Sequence, residues 1–313
     1  MTDLVIRPLQ TGEEELFVSL SEPALVGPAR AGLDYGTATG RRQYRPEWTW
    51  VALRHDRIVA RAAWSGGPAD DEPYSLDRFD FGDDIEAGTA LLRAAPYDKE
   101  YILRLPVGWR DEPRVRKAAE LRIAAAQRAG MQIMVERFRY TWTPSCGLPE
   151  RPGRLEFRPE PHDNVVLDVL RRVMEGTLDA HECRTAAEQG VDAAAREELQ
   201  FVHWMPSPRE WLRLAYTPDG DVAGITVPGH NHTAPVIGFI GVVPGQRGHG
   251  YGYDLLMEAT RMLAGQGADR ILADTDTTNT PMAAAFARGG YPITEERVFL
   301  RWPCTDGRDT SME

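Results

Sequence analysis

A mixed α/β (α+β) fold, written twice in tandem, is what this chain predicts, and three observations carry the expectation. At 313 residues the chain is long for one core, since domains cluster at roughly 100–200 residues. Strand-like and helix-like segments alternate along it. Two stretches also resemble each other at a slowly drifting offset. Leu4-Val5-Ile6-Arg7-Pro8 matches Leu155-Glu156-Phe157-Arg158-Pro159. Trp50-Val51-Ala52-Leu53, followed by Arg57-Ile58-Val59-Ala60, matches Trp211-Leu212-Arg213-Leu214, followed by Asp221-Val222-Ala223-Gly224. Duplication of a ~150-residue unit explains such a drift. Residues 143–153, rich in Pro and Gly, read as the linker and divide the chain into domains at 1–145 and 154–313.

In the first half, Leu4–Pro8 reads as a strand, Glu13–Leu20 as a helix, and Trp48–Leu53 and Ile58–Trp64 as strands. Asp70–Glu86, with eight carboxylates, reads as an acidic, solvated loop. Tyr101–Leu105 and Gln132–Thr141 are strands flanking an amphipathic helix at Pro113–Ala129. In the second half, Arg154–Arg158 is a short strand, and Asn164–Gly176 and Ala193–Trp204 carry apolar residues at helical spacing. Glu210–Tyr216 and Val222–Val227 form a hairpin around the turn Pro218-Asp219-Gly220. Val236–Val243 is uncharged and mostly apolar, as a strand buried on both faces should be. Tyr251–Leu263 is a helix, Arg270–Asp274 a buried strand, and Pro281–Ala287 a helix that starts after Asn279 with Pro in its first turn. Val298–Trp302 is the last strand.

Composition limits the function classes. Hydrophobic residues are 42% and charged residues 27% of the chain, ordinary for a soluble globular protein. The longest uncharged apolar run, Ala234–Gly245, is well short of the ~20 residues that span a bilayer. No basic segment followed by an apolar one opens the chain, so no signal peptide is expected. Cys146, Cys183 and Cys304 are isolated, which disfavours a disulfide framework or zinc cluster and fits a reducing cytoplasm. Net charge is −11, with 23 acidic against 20 basic residues in 1–150 and 24 against 16 in the remainder. Such a surface repels nucleic acid and anionic membranes and suits a cationic small molecule such as an amine. A monomer or homodimer is expected, without metal.

One segment stands out for chemistry: Val242-Val243-Pro244-Gly245-Gln246-Arg247-Gly248-His249-Gly250-Tyr251-Gly252. It leaves a buried strand and runs into a helix. Its glycines allow a tight turn and close approach to a ligand. The amides of the loop and first helical turn then converge at the positive end of a helix dipole, where an anionic phosphate binds, and Arg247 adds a charge. The absence of Gly-Lys-Ser/Thr excludes a P-loop. Too little chain follows Asp274 to complete a Rossmann fold.

These residues resemble the GNAT superfamily of N-acetyltransferases. The family's loop V-x-P-x-x-R-x-x-G-x-G/A is matched by Val242, Pro244, Arg247, Gly250 and Gly252. Its second block, N-x-x-A-x-x-x-Y-x-x-x-G-F/Y, is matched by Asn279, Gly290 and Tyr291, with Met282 at the small-residue position and Phe286 at the tyrosine position. The resemblance covers roughly residues 154–302. It implies two tandem domains, each a mixed, mostly antiparallel sheet flanked by helices, with a splayed central strand pair in the C-terminal copy. It implies acetyl-CoA as donor substrate, with the backbone of Val242 and Val243 holding pantetheine and the acetyl carbonyl. Arg247, Gly248, His249, Gly250, Tyr251 and Gly252 would cradle the pyrophosphate, Asn279 would contact pantetheine, and Phe286 would line the thiol end.

For the catalytic base, some relatives place a carboxylate on the strand before the Asn. That suggests Asp274 here and, by strand alternation, Asp276 as second choice. Phe286 cannot serve as the family's tyrosine acid, so another group or water would protonate the thiolate. His230 and His232 read as surface loop, His249 as turned outward, and His203 and Trp204 as core packing. Phe79–Gly88 corresponds to the loop in the first half but carries carboxylates where phosphate would lie. That half reads as a degenerate copy without a cofactor loop. The expected activity is N-acetylation of a small-molecule amine by direct attack in a ternary complex. A mycothiol synthase-like acetyltransferase and a non-catalytic acyl-CoA-binding protein remain as alternatives.

Overall fold

The computed structural model describes residues 4–303 except 22, 41, 42, 149 and 232. His232 and Cys304 lie outside the described residues. In chain order the strands are β1 (Leu4–Pro8), β2 (Thr49–Arg54), β3 (Arg57–Ser65), β4 (Ser75–Asp80), β5 (Glu100–Leu105), β6 (Gln132–Trp142), β7 (Glu156–Pro159), β8 (Arg213–Tyr216), β9 (Val222–His230), β10 (Pro235–Val242), β11 (Ile271–Asp276) and β12 (Ile293–Arg301). The helices are α1 (Glu14–Val18), α2 (Gly27–Arg30), α3 (Tyr35–Gly40), α4 (Ile85–Ala94), α5 (Pro113–Ala129), α6 (Asp163–Met174), α7 (Ala180–Gln189), α8 (Val191–Trp204), α9 (Tyr251–Gly265) and α10 (Thr280–Arg288).

Two compact units result, Met1–Glu136 with Glu295–Glu313, and Arg137–Thr294. The boundaries differ from the expected 1–145 and 154–313. The Pro- and Gly-rich stretch lies inside the second unit, and the chain's last strand belongs to the first. Strand pairing supplies the reason. In the first unit the order is β1-β2-β3-β4-β5-β12, and Glu296–Leu300 pairs antiparallel with Tyr101–Leu105 of β5. In the second it is β7-β8-β9-β10-β11-β6, and Arg137–Trp142 pairs antiparallel with Ile271–Asp276 of β11. Each sheet is therefore closed by a strand from outside its own stretch of sequence.

The two orders repeat one plan. β1 and β7, the two repeated segments, each pair antiparallel with the next strand of their unit. Each unit holds one parallel pair, and in each it is barely joined. β4 meets β5 at Ser75↔Glu100 and Leu76↔Tyr101, and β10 meets β11 at Val236↔Leu272. Beyond those pairs the strands splay, so the splay expected of the second copy occurs in both units. In the first unit, Trp64, Leu76, Phe79, Leu91, Leu103 and Leu105 are buried in a core that α4 and α5 cover. In the second, α6 and α8 cover Leu214, Ile225 and Val227, while Leu256, Met257 and Ile271 pack with Phe286 of α10.

The acidic stretch Asp70–Glu86 is not a solvated loop. It contains β4 and runs into α4. Leu76 and Phe79 are buried in the core. Asp77 accepts a hydrogen bond from Tyr44 Oη at 2.7 Å and is pushed up to about 6 by burial. Asp80 is clasped by Arg61 Nε at 3.0 Å and Arg122 Nη2 at 2.6 Å. Its burial opposes ionisation, but the two guanidinium groups outweigh it and hold the carboxyl below its usual range.

Candidate active site

Backbone geometry shapes the loop between β10 and α9 that the sequence marks as a candidate anion cradle. β10 ends at Val242, one 3₁₀ turn follows at Pro244–Gln246, and α9 starts at Tyr251. Gly248 and Gly250 take φ of +85° and +75°, a region costly for residues with a Cβ. The amides of Gly248, His249, Gly250, Tyr251 and Gly252 have no hydrogen-bond acceptor among the described residues. They surround the N-terminus of a fifteen-residue helix, whose dipole favours an anion.

Two arginines hold this loop by its carbonyls. Arg247 Nε donates to Val242 O at 3.1 Å, Nη2 to Val173 O at 2.8 Å, and Nη1 to Glu175 O at 2.7 Å and Gly176 O at 3.0 Å. Its guanidinium therefore fastens the loop to the C-terminal end of α6. Arg154 donates to His249 O at 2.8 Å and Gly250 O at 3.3 Å. It also forks onto Asp254, a carboxylate only 3% exposed, and lies over the Tyr251 ring. A peptide carbonyl drawn to one side turns the following N–H to the other, so these contacts leave the amides facing outward. Arg154 gave no motif signal, because it stands alone at the end of a Pro/Gly stretch.

On the splayed strand only part of the expected backbone is available. Val243 N donates to Ala223 O at 3.0 Å, so that amide is spent on β9 and cannot hold a ligand. By alternation the Val242 N–H faces the splay.

A strap of residues 173–180 runs across the open end of the splay. Arg247 holds its start to the end of β10, as above. At its other end, Asp276 on β11 accepts from Ala180 N at 2.7 Å and from Arg137 Nε at 2.6 Å. Arg137 also pairs with Asp179, whose other oxygen caps α7 by accepting from His181 N at 2.9 Å and Glu182 N at 3.2 Å. Asp276 is 1% exposed and serves as an anchor, with both oxygens engaged. Asp274 is exposed, and both its oxygens accept from Arg139, at 2.7 and 2.6 Å. Each expected base thus has both oxygens engaged by donors.

Two other carboxylates are better suited. Glu182, on the first turns of α7, accepts from Thr177 Oγ1 of the strap through Oε2. Burial, and then Asp179, push it up to about 7. Glu198 of α8 has an Oε1 sealed from solvent with no hydrogen-bond partner among the described residues, and burial, then Glu182, push it well above the carboxylate range. Sequence reading missed Glu182 because α7 has almost no apolar face, with Thr185 its buried residue, and went unread; Glu198 lies on the helix that was read, but no motif marks it.

The remaining expectations divide. Asn279 caps α10 through Oδ1, which accepts from Met282 N at 3.2 Å. Phe286 is 2% exposed, stacked on Tyr140 at 4.2 Å and edge-on to Tyr291 at 5.3 Å. It belongs to the core of the second unit. His249 lies outside the cradle, stacked on Tyr251. His230 stands beside Trp211. His203 and Trp204 are not core. His203 pairs with Asp163 at 2.9 Å, and Trp204, 40% exposed, stacks on Phe201. In the first unit the turn between β4 and α4 is shorter, and Asp84 caps α4 by accepting from Ala87 N at 3.0 Å while it pairs with Arg54.

Residues 180–291 match the model of the acetyltransferase (GNAT) family. A GCN5-related N-acetyltransferase from Sphaerobacter thermophilus is 14% identical, with 97% of this chain and 98% of its own covered at a TM-score of 0.57. A GCN5-related glucosamine N-acetyltransferase region of a fungal multi-domain GH3 β-N-acetylglucosaminidase is 12% identical, with 96% of this chain and 38% of its own covered at 0.53. A tandem GNAT protein from the clavulanic acid biosynthesis pathway is 17% identical, with 97% and 100% covered at 0.49. Identities this low speak for the fold alone. No curated protein matches the sequence. No helix among the described residues is long and apolar enough to cross a membrane.

Proposed function

We propose that the second unit binds acetyl-CoA and transfers its acetyl group to the amine of a small molecule, and that the first unit binds no acyl-CoA. The observation that carries this reading is the run of unpartnered amides from Gly248 to Gly252 at the start of α9. They fit a pyrophosphate without help from a side chain. Val242 N–H would orient the pantetheine arm or acetyl carbonyl along the splay, and the amide N–H₂ of Asn279 remains as a donor after its Oδ1 has capped α10. In the first unit Asp84 fills the equivalent helix N-terminus with a carboxylate of its own.

Direct attack in a ternary complex is favoured over an acyl-cysteine. Cys183, on α7, has its thiol pushed up by burial and by Glu182, Asp179 and Asp276, so its thiolate is scarce. Calorimetric titration with acetyl-CoA should give one site per chain. Initial rates against a panel of primary amines should give intersecting rather than parallel double-reciprocal lines. Two sites per chain would refute the assignment to one unit, and parallel lines would refute direct attack.

A further inference from the structure

We propose that Glu182 takes the proton from the acceptor's ammonium group in acetyl transfer, with Glu198 beside it as the carboxyl that the arriving cationic amine ionises and pairs with. The inference rests on the acetyl-transfer reading above and names residues that reading leaves open.

Position is the first argument. The strap of residues 173–180 is tied at one end to the cradle by Arg247 and at the other to β11 by Asp276, so it crosses the mouth of the splay, where an acetyl group held along β10 would emerge. Glu182 follows the strap by two residues and is fastened to it through Thr177 Oγ1. That bond engages Oε2. Oε1 is left to accept a proton.

The second argument is the state of Glu198. Its buried Oε1 accepts no hydrogen bond from the described residues, an arrangement that costs free energy unless a donor arrives. An ammonium group brings up to three N–H donors and a positive charge. The charged groups that face Glu182 are Asp179 ahead of its own helix, Glu198 on α8, Asp276 on β11 and Arg137 on β6, while Glu197 faces Glu198 and accepts from Thr185 Oγ1 at 2.9 Å. Arg137 is already shared between Asp179 and Asp276. That leaves Glu182 uncompensated where it is ionised, and Glu198 held neutral by burial until a positive charge enters, which together select a cation.

The third argument is proton affinity. A carboxyl near 7 is half ionised at neutral pH, where a general base is most effective. Asp274 and Asp276 already have both oxygens engaged by donors. The step balances as follows. A proton passes from R–NH₃⁺ to the Glu182 carboxylate. The freed lone pair attacks the thioester carbonyl carbon, the C–N bond forms and the C–S bond breaks. A second N–H proton goes to the departing thiolate. The products are the amide, the CoA thiol and one proton that Glu182 returns to water.

The test uses the full chain with acetyl-CoA and with propylamine, putrescine and spermidine as amine probes. Glu182→Gln should keep acetyl-CoA affinity by calorimetry, lose ~10²–10⁴-fold in kcat/KM at pH 7, and lose the acidic limb of the pH profile near 7. Glu197→Gln should keep both the rate and the limb. Carbon-13 NMR of labelled glutamate carboxyls reads the site without turnover, and putrescine should lower the Glu182 midpoint in the wild type but not in Glu198→Gln. A wild-type rate and limb in Glu182→Gln overturns the proposal, as does a Glu182 titration that none of the amines moves. Failure of acetyl-CoA itself to bind strikes the donor reading first. Binding with an indifferent Glu182 strikes this inference alone.

Discussion

Replacing Arg154 by alanine separates the cradle's shape from its charge. Arg154 holds two loop carbonyls, His249 O and Gly250 O, and the buried carboxylate of Asp254. Breaking a fully buried ion pair costs ~3–5 kcal/mol. The Arg154 side chain is 41% exposed, so solvent screening lowers the expected loss to ~1–3 kcal/mol, read as ~2–4 °C in Tm for each kcal/mol. Acetyl-CoA affinity should fall separately. With both carbonyl tethers gone, the loop must be ordered on binding, at ~1–2 kcal/mol per residue fixed, or about 10–100-fold in Kd. The double variant Arg154→Ala/Asp254→Asn removes the orphaned charge but not the missing tethers. Thermal unfolding should recover towards wild type, while calorimetric titration with acetyl-CoA should not. Unaltered affinity in Arg154→Ala, or full recovery of affinity in the double variant, would refute the idea that carbonyl tethers set the amides.

Three further outcomes follow from the geometry. Glu182 has a folded value of about 7 against about 4.5 for an ordinary glutamate, so the folded state keeps a proton that the unfolded chain sheds. Its stabilising share is present below about 4.5, falls through the window to about 7 and is gone above it, by at most ~3 kcal/mol. Urea unfolding at pH 5 and pH 8 should show Glu182→Gln with the shallower loss, and an identical loss in both proteins would contradict the burial of this carboxyl. Phe286→Tyr should not raise kcat, since its new hydroxyl would enter an aromatic stack without a partner at a cost of ~1–3 kcal/mol; a faster enzyme would show that the ring reaches the thiol site. A fragment of residues 137–294 should unfold cooperatively by circular dichroism, and one of residues 154–313 should not, because it lacks the strand that closes β11.

Much of this was legible in the chain, for identifiable reasons. Val236–Val243 and Tyr251–Leu263 announce themselves because a strand buried on both faces and an amphipathic helix have strong periodicity, and the loop between them is constrained by its glycines. The splay followed from resemblance, not from periodicity. What stayed hidden depended on partners distant in sequence. β4 looked like loop because Asp80 is paired by Arg61 and Arg122 and Asp77 is hydrogen-bonded by Tyr44, partners that no local window contains. α7 has no apolar face, and its start is fixed instead by the Asp179 cap. Asp274 looked like a base because its partner, Arg139, is a strand neighbour from a different part of the chain. The exchange of β6 and β12 was invisible for the same reason, since a strand's periodicity does not name the edge it joins.

The two units show how one helix N-terminus can be either a binding site or a finished piece of structure. Four orphan amides begin any α-helix, and something must satisfy them. In the first unit a short turn lets Asp84 reach back to Ala87 N, and Arg54 balances its charge. The helix start is thereby complete, and a second anion would meet a carboxylate. In the second unit the turn is longer, Gly250 occupies the cap position with no side chain to offer, and Arg154 and Arg247 take the carbonyls instead of the amides. Positive charge is kept beside the loop while its donors stay open. Converting the first arrangement into the second would need more than removal of Asp84. The carbonyl tethers would have to be supplied as well, because amides that are merely unpaired do not converge unless something holds the other side of each peptide.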